Sequence, residues 1–217
     1  MIQNAKPILF NTEMVQALLD GRKNCTRRLV KPQPCIKNNE SGTFVPCDDG
    51  SFQLSIDRYN NLIYDYPIKP RYYKNDILYV RESFIKTMID NPRYFYKTDV
   101  LPETLKHYKF TPSIHMPKEA ARIFLRVTDV SVERMQDITE QEALSEGIYF
   151  DEHSFVKGFT SCREHDEGVV WDTAVNCFRW HVWNKTVKSS EQDLYGWNAN
   201  PWVWVYEFEK IESQSNK

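Results

Sequence analysis

The chain alternates between two periodicities, and their order along it suggests the architecture. Pro7-Ile8-Leu9-Phe10 is a short apolar run that predicts a strand. Met14, Val15, Leu18 and Leu19 then recur at helical spacing behind a possible cap at Asn11 or Thr12, and Gly21 suits the position just past the helix end. Residues 23–28 follow as a turn or a continuing helical turn. Ile77 to Val80 predicts a strand after the Lys74-Asn75-Asp76 turn, and Tyr94-Phe95-Tyr96 another. Ile123, Leu125 and Val127 alternate, then Val130 and Val132 resume with a break at Asp129. Thr139 with Glu142 forms a capping-box pattern opening a helix over residues 140–146, which Gly147 stops. Helical periodicity returns from Trp171 to Val187 through Val175, Phe178, Val182 and Trp183. Trp202 to Phe208 alternates as a final strand with Trp202, Trp204 and Tyr206 on one face.

Between these elements lie two polar stretches. Residues 35–75 carry Asn-Asn, Ser-Gly and Asp-Asp-Gly punctuation and predict an inserted hairpin, with strands at Phe52–Ile56 and Leu62–Tyr64. Residues 148–170 are mixed and loop-like, and residues 212–217 are expected to fray. Short strands with few interspersed helices predict an α+β fold centred on a small β-barrel. A chain of 217 residues fits one elaborated domain over 1–217, with insertions at about 35–70 and 148–195.

Composition narrows the function classes. Apolar residues make up 41% of the chain, enough for a substantial core, and the net charge of −2 gives no global attraction to nucleic acid. A polyanion would need a local basic patch, which Arg22, Lys23, Arg27, Arg28 and Lys31 supply. No apolar run approaches the ~20 residues needed to span a bilayer, and the start lacks a signal-peptide core, so a cytoplasmic protein without membrane association is expected. Phosphate-loop, dinucleotide-binding, nucleophile-elbow and H-E-x-x-H motifs are missing, and no cofactor is expected.

The densest chemistry lies in Gly21-Arg22-Lys23-Asn24-Cys25-Thr26-Arg27-Arg28, a G-x-K-x-x-T-x-R pattern. On a helical turn Lys23 and Thr26 would meet. A lysine near arginines can lose enough proton affinity to activate a threonine hydroxyl, and a carboxylate at Glu82, ending Leu78-Tyr79-Val80-Arg81-Glu82, could shuttle a proton. The same residues would also make an ordinary exposed basic helix end. Ser113 and His115, followed by Arg122, form a second polar cluster, where His115 could hydrogen-bond a ligand or serve the loop alone. Cys162, His165, Cys177 and His181 could close a tetrahedral zinc site, though Cys177 beside Phe178 also reads as core. Trp197, just before the last strand, could stack on a base.

Taken together, Pro7-Ile8-Leu9-Phe10-Asn11, Gly21-Arg22-Lys23 with Thr26-Arg27-Arg28, Asp76-Ile77-Leu78-Tyr79-Val80-Arg81-Glu82 and Asn200-Pro201-Trp202-Val203-Trp204-Val205 resemble the ASCH-domain family, in particular its larger phage and prophage members. Asn75 and Tyr79 depart from the usual Gly and Trp of the third motif. The resemblance implies a PUA-like (ASCH) small β-barrel with flanking helices, and a cleft for RNA or modified nucleosides. One branch of the family hydrolyses N4-acylated cytidines, and its lysine, threonine and glutamate fall here on Lys23, Thr26 and Glu82. Three functions remain open. The chain could be an amidohydrolase with Thr26 as nucleophile. It could bind RNA, DNA or a modified nucleotide without catalysis, through Arg22, Arg27, Arg28, Arg81, Ser113, His115, Arg122 and Trp197, with RNA preferred over DNA. It could be a metal-independent ribonuclease.

Overall fold

The computed structural model describes residues 4–34, 43–55, 67–87, 93–152, 157–161 and 170–211. In chain order the strands are β1 (Lys6–Leu9), β2 (Cys25–Leu29), β3 (Thr43–Pro46), β4 (Phe52–Ser55), β5 (Ile77–Arg81), β6 (Phe84–Thr87), β7 (Arg93–Tyr96), β8 (Phe124–Arg134), β9 (Tyr149–Asp151), β10 (Gly158–Thr160) and β11 (Trp202–Ile211). A five-stranded sheet in the order β1-β5-β8-β11-β2 organises the molecule, and β3–β4, β6–β7 and β9–β10 form separate two-stranded ribbons. The class is α+β.

The sheet does not close into the expected barrel. β1 pairs in parallel with β5, β2 pairs antiparallel with β11, and no ladder joins β1 to β2 among the described residues. A side chain crosses the gap instead, as Arg28 Nη2 donates to the Leu9 carbonyl at 3.1 Å. An open seam between two edge strands leaves backbone acceptors and side chains facing a cleft, which a closed ladder would have covered.

The break in alternation at Asp129 has a structural cause. β8 and β11 run in register from Trp202 opposite Arg134 to Glu207 opposite Asp129, then slip, so that Phe208 faces Val127. The extra residue of this bulge shifts the phase, putting Val127 and Val130 at an odd spacing. On one side of the sheet, Ile8, Phe10, Leu78, Leu125, Trp204 and Tyr206 pack with Val15 and Leu18 of α1 (Thr12–Leu19). On the other side, Val203 joins Met135, Ala143, Phe178 and Trp183. Trp202, Trp204 and Tyr206 therefore share a face, as their alternation predicts.

Asn11 caps α1 by accepting from the Met14 N–H at 2.8 Å. Thr139 and Glu142 complete the capping box of α2 (Glu140–Ser145). The 23–28 segment differs from its expected helical turn. Gly21, at φ +75°, ends the helix, Asn24 N–H donates to the Ser145 carbonyl at 3.0 Å, and the chain enters β2. Edge pairing with β11 overrides the local spacing that suggested a helix. From Ala174 to Thr186 the expected helix forms, with a π-helical middle at Phe178–Trp183. Residues expected to loop around 148–170 include β9 and β10. The strand expected at Leu62–Tyr64 and the frayed residues 212–217 lie outside the described residues.

Candidate functional site

The seam between β1 and β2 opens into a cleft of about 710 Å³. Pro7, Ile8 and Leu9 line one side, and Arg27, Arg28 and Leu29 the other. Tyr72, Trp204 and Tyr206 come from the sheet side, and Phe178, Val182 and Trp183 from the helical stretch. Among the described residues, basic side chains dominate its polar lining: Arg27, Arg28, Lys31, Lys69, Arg71 and Arg81, against the carboxylate of Glu146.

That carboxylate is fully engaged. Glu146 sits at the end of α2, where Gly147 turns the chain at φ +107°. A Cβ at Gly147 would lie 2.7 Å from Ala17 Cβ, so only glycine lets this turn approach α1. Glu146 Oε2 lies 2.6 Å from Lys23 Nζ, and both side chains are buried. Oε1 accepts from the backbone N–H of Arg27 at 2.7 Å, and Lys23 Nζ also donates to the Glu146 carbonyl at 2.9 Å. Arg27 is equally enclosed. Its Nε donates to Glu133 at 2.8 Å, and Glu142 and Glu146 lie 3.3 Å and 3.6 Å from its guanidinium. Burial works against the Arg27 charge, but Glu146 and Glu133 outweigh it and raise its pKa. Lys23 and Arg27 are thus neutralised within the fold.

Arg28, Lys31, Arg71 and Arg81 differ: none has a carboxylate partner among the described residues. Arg28 donates to the carbonyls of Arg27 and Leu9, both at 3.1 Å, and burial lowers its pKa. Arg81 reaches the carbonyls of Met116, at 2.9 Å, and Ile114. Arg71 lies over the Tyr72 ring at 5.5 Å, and Lys31 over Tyr195 at 4.7 Å. Lys69 faces Asp49 at 3.6 Å across exposed surface, a contact of little energetic weight. Tyr72 and Tyr206 meet edge to face at 5.2 Å. Burial pushes the Tyr206 hydroxyl up to about 12, and it accepts from the Arg71 N–H at 3.1 Å.

The sequence-predicted residues separate into distinct places. Thr26 is fully buried in β2, opposite Tyr206, and its hydroxyl has no hydrogen-bond partner among the described residues. Glu82 belongs to a different network. It accepts from Arg122 Nε at 2.9 Å and Nη2 at 3.0 Å and from Thr98 Oγ1 at 3.1 Å, while Arg122 also bonds Asp99 at 2.8 Å and covers the Tyr96 ring at 3.9 Å. The carboxylate beside Lys23 is therefore Glu146. Arg22 bonds the Gly147 carbonyl, pairs with Asp20 at 2.9 Å and lies over Tyr149 at 4.5 Å. Ser113 and His115 form an outer turn fastened by Arg81, with His115 exposed. Trp197 is half-buried beside Arg179, whose guanidinium lies 5.7 Å from its ring.

Cys162 and His165 lie outside the described residues. Cys177 is buried in the core, and His181 meets the edge of Trp171 at 5.7 Å. No group of three or more His, Cys, Asp or Glu among the described residues is placed to hold a metal. Cys25, next to Thr26, is no substitute nucleophile, since burial and Glu146 push its thiol up to about 12. Nor is any described helix long and apolar enough to cross a membrane.

Glu146, Arg71, Tyr72 and Tyr206 escaped the sequence reading. Glu146 looks like an ordinary last residue of an acidic helix. Arg71 and Tyr72 border the polar insertion. Tyr206 is one of several alternating aromatics. None carries a local signal of its position at the cleft. Comparison with models of known protein families, with curated proteins and with solved structures finds no match for this chain.

Proposed function

We propose that this chain is a PUA-like protein of the ASCH type that binds single-stranded RNA, or a modified nucleotide, in the seam between β1 and β2, without needing to cleave it. The observation that carries this reading is the set Arg28, Lys31, Arg71 and Arg81 around one cleft, with no carboxylate partner among the described residues. Uncompensated cations repel one another and stabilise a fold poorly, but they bind a phosphate strongly. Tyr72, Tyr206 and Trp204 back the cleft as buried core residues and hold its floor rigid. The motif resemblance points to the same ligand class.

Fluorescence anisotropy with labelled single-stranded RNA and the matching DNA tests this. RNA is expected to bind more tightly, with log affinity falling about 0.7 per neutralised phosphate for each tenfold rise in salt. Arg71→Ala is expected to weaken binding by ~1–2 kcal/mol, a charge-assisted contact, and to flatten the salt slope by about one phosphate. Absence of salt-dependent binding in the unsubstituted protein contradicts the proposal.

A second reading, hydrolysis of N4-acylcytidine-type amides, is favoured by one feature: the Thr26 hydroxyl, in the strand that follows Lys23, has no hydrogen-bond partner among the described residues. Two features oppose it. Thr26 is closed to solvent, and the Lys23 amine is engaged by the Glu146 carboxylate at 2.6 Å and by its carbonyl at 2.9 Å. Release of cytidine from N4-acetylcytidine, ended by Thr26→Val, would establish this reading in place of simple binding.

A further inference from the structure

We infer that Arg28 and Arg71 form a subsite for a phosphate monoester, the dianionic group carried by a free nucleotide or by an RNA end, inside the seam cleft. The inference rests on the proposed nucleotide-binding reading and narrows it to a particular anion.

Distribution of charge is the first ground. Elsewhere on and beside the sheet several cations are matched locally, Lys6 with Asp76 at 2.6 Å, Arg122 with Glu82 at 2.9 Å and Arg126 with Glu209 at 3.1 Å, while Arg134 bonds the Asn200 carbonyl at 3.0 Å and lies over Trp202 at 4.3 Å. In the cleft, Arg28, Lys31, Arg71 and Arg81 have no such match among the described residues. A diester strand carries one charge per nucleotide, spread along its length. A monoester places nearly two charges on a single group at neutral pH, and so suits positive charge gathered in one cleft.

Geometry is the second. A guanidinium offers five N–H donors in a rigid fork. Arg28 uses Nη1 and Nη2 on the carbonyls of Arg27 and Leu9, which anchors it at the seam and leaves further donors for a ligand. Arg71 lines the same cleft. Its backbone N–H is tied to Tyr206, its guanidinium lies over Tyr72, and that guanidinium has no acceptor among the described residues. The Tyr72–Tyr206 pair links the two arginines' surroundings, and the Arg71 charge acts with burial to lower the Arg28 pKa. Tyr72 donates its hydroxyl to the Pro7 carbonyl at 2.6 Å, which holds the floor to β1. Glu146, the carboxylate among the described lining residues, is occupied by Lys23 and by the Arg27 N–H, so its charge is offset before a dianion arrives.

Isothermal titration calorimetry with the full chain tests this using one RNA oligomer in 5′-hydroxyl, 5′-phosphate and 3′-phosphate forms, together with uridine and uridine 5′-monophosphate. At least one phosphorylated form is expected to bind tenfold or more tightly than its unphosphorylated counterpart. Which form shows the gain distinguishes a free nucleotide from an RNA end. Arg71→Ala and Arg28→Lys are each expected to erase most of that gain; the lysine keeps the charge and loses the fork. The gain is also expected to shrink as pH falls below about 6, where the monoester takes up its second proton. Equal affinity for phosphorylated and unphosphorylated forms, with Arg71→Ala weakening both, overturns the monoester subsite and leaves RNA binding in the cleft intact. Failure of every probe to bind overturns both.

Discussion

Replacing Glu146 with alanine is expected to destabilise the protein by about 3–5 kcal/mol, because it strands the Lys23 ammonium in a buried site. Lys23 Nζ would keep only the residue-146 carbonyl at 2.9 Å, a neutral acceptor, and would lose the carboxylate at 2.6 Å. Arg27 would lose its backbone acceptor as well as a nearby charge. The reverse deletion, Lys23→Met, is expected to cost less, since the Glu146 carboxylate would still accept from the Arg27 N–H and lie 3.6 Å from its guanidinium. Converting both, as Lys23→Met with Glu146→Leu, is expected to recover much of the loss, because apolar replacement of a buried pair removes two desolvation penalties together. Urea unfolding followed by tryptophan fluorescence measures all three variants. A loss under 1 kcal/mol for Glu146→Ala would mean that the pair is hydrated and not part of the frame holding β2.

Glu82→Ala is expected to cost ~2–3 kcal/mol, less than the fully buried case because Arg122 is 28% exposed and can be partly solvated. Arg122 would keep Asp99 and the face of Tyr96. The loss should fall on β6–β7, because the Glu82 side chain joins the end of β5 to Thr98, just beyond β7. Hydrogen exchange is expected to quicken in the β6–β7 ribbon first. RNA affinity should stay within about twofold of the unsubstituted protein at temperatures where the variant is folded, as expected when a residue supports the frame and does not touch ligand. A much larger loss of affinity with intact β6–β7 protection would put Glu82 in the binding site after all.

These two carboxylates show what the sequence could and could not convey. The G-x-K-x-x-T-x-R motif and the V-R-E strand are both conspicuous, and it is natural to join them into one centre. Yet Glu82 is claimed by Arg122, forty residues further along the chain, and Lys23 is claimed by Glu146, more than a hundred residues away. Local spacing carries no information about such long-range pairing. The strands and caps were legible where side-chain alternation and capping chemistry act locally: β1, β5, β8 and β11, Asn11 before α1, and the Thr139–Glu142 box. Even the bulge left a trace, in the broken alternation at Asp129. The motif's own conformation was not legible, because β2 is a strand through its pairing with β11, whereas its residues at helical spacing look helical. The open seam was also hidden. Whether β1 meets β2 depends on how far the sheet curls, and no short stretch of sequence encodes that. Arg28 was a candidate from the start. Arg71, which lines the same cleft, sits at the edge of a polar insertion and looks like surface.

RNA bound in the β1–β2 seam would touch the chain beside Arg28 and Arg71. Photocrosslinking of 4-thiouridine-substituted RNA, followed by mass spectrometry of the conjugated peptides, locates the contact directly. Crosslinks are expected at the exposed seam residues Leu9, Lys31 or Lys69, and their yield should fall when Arg71 is replaced by alanine. Crosslinks confined to the Ser113–His115 turn or to Trp197, with none at the seam, would put the ligand elsewhere on the protein.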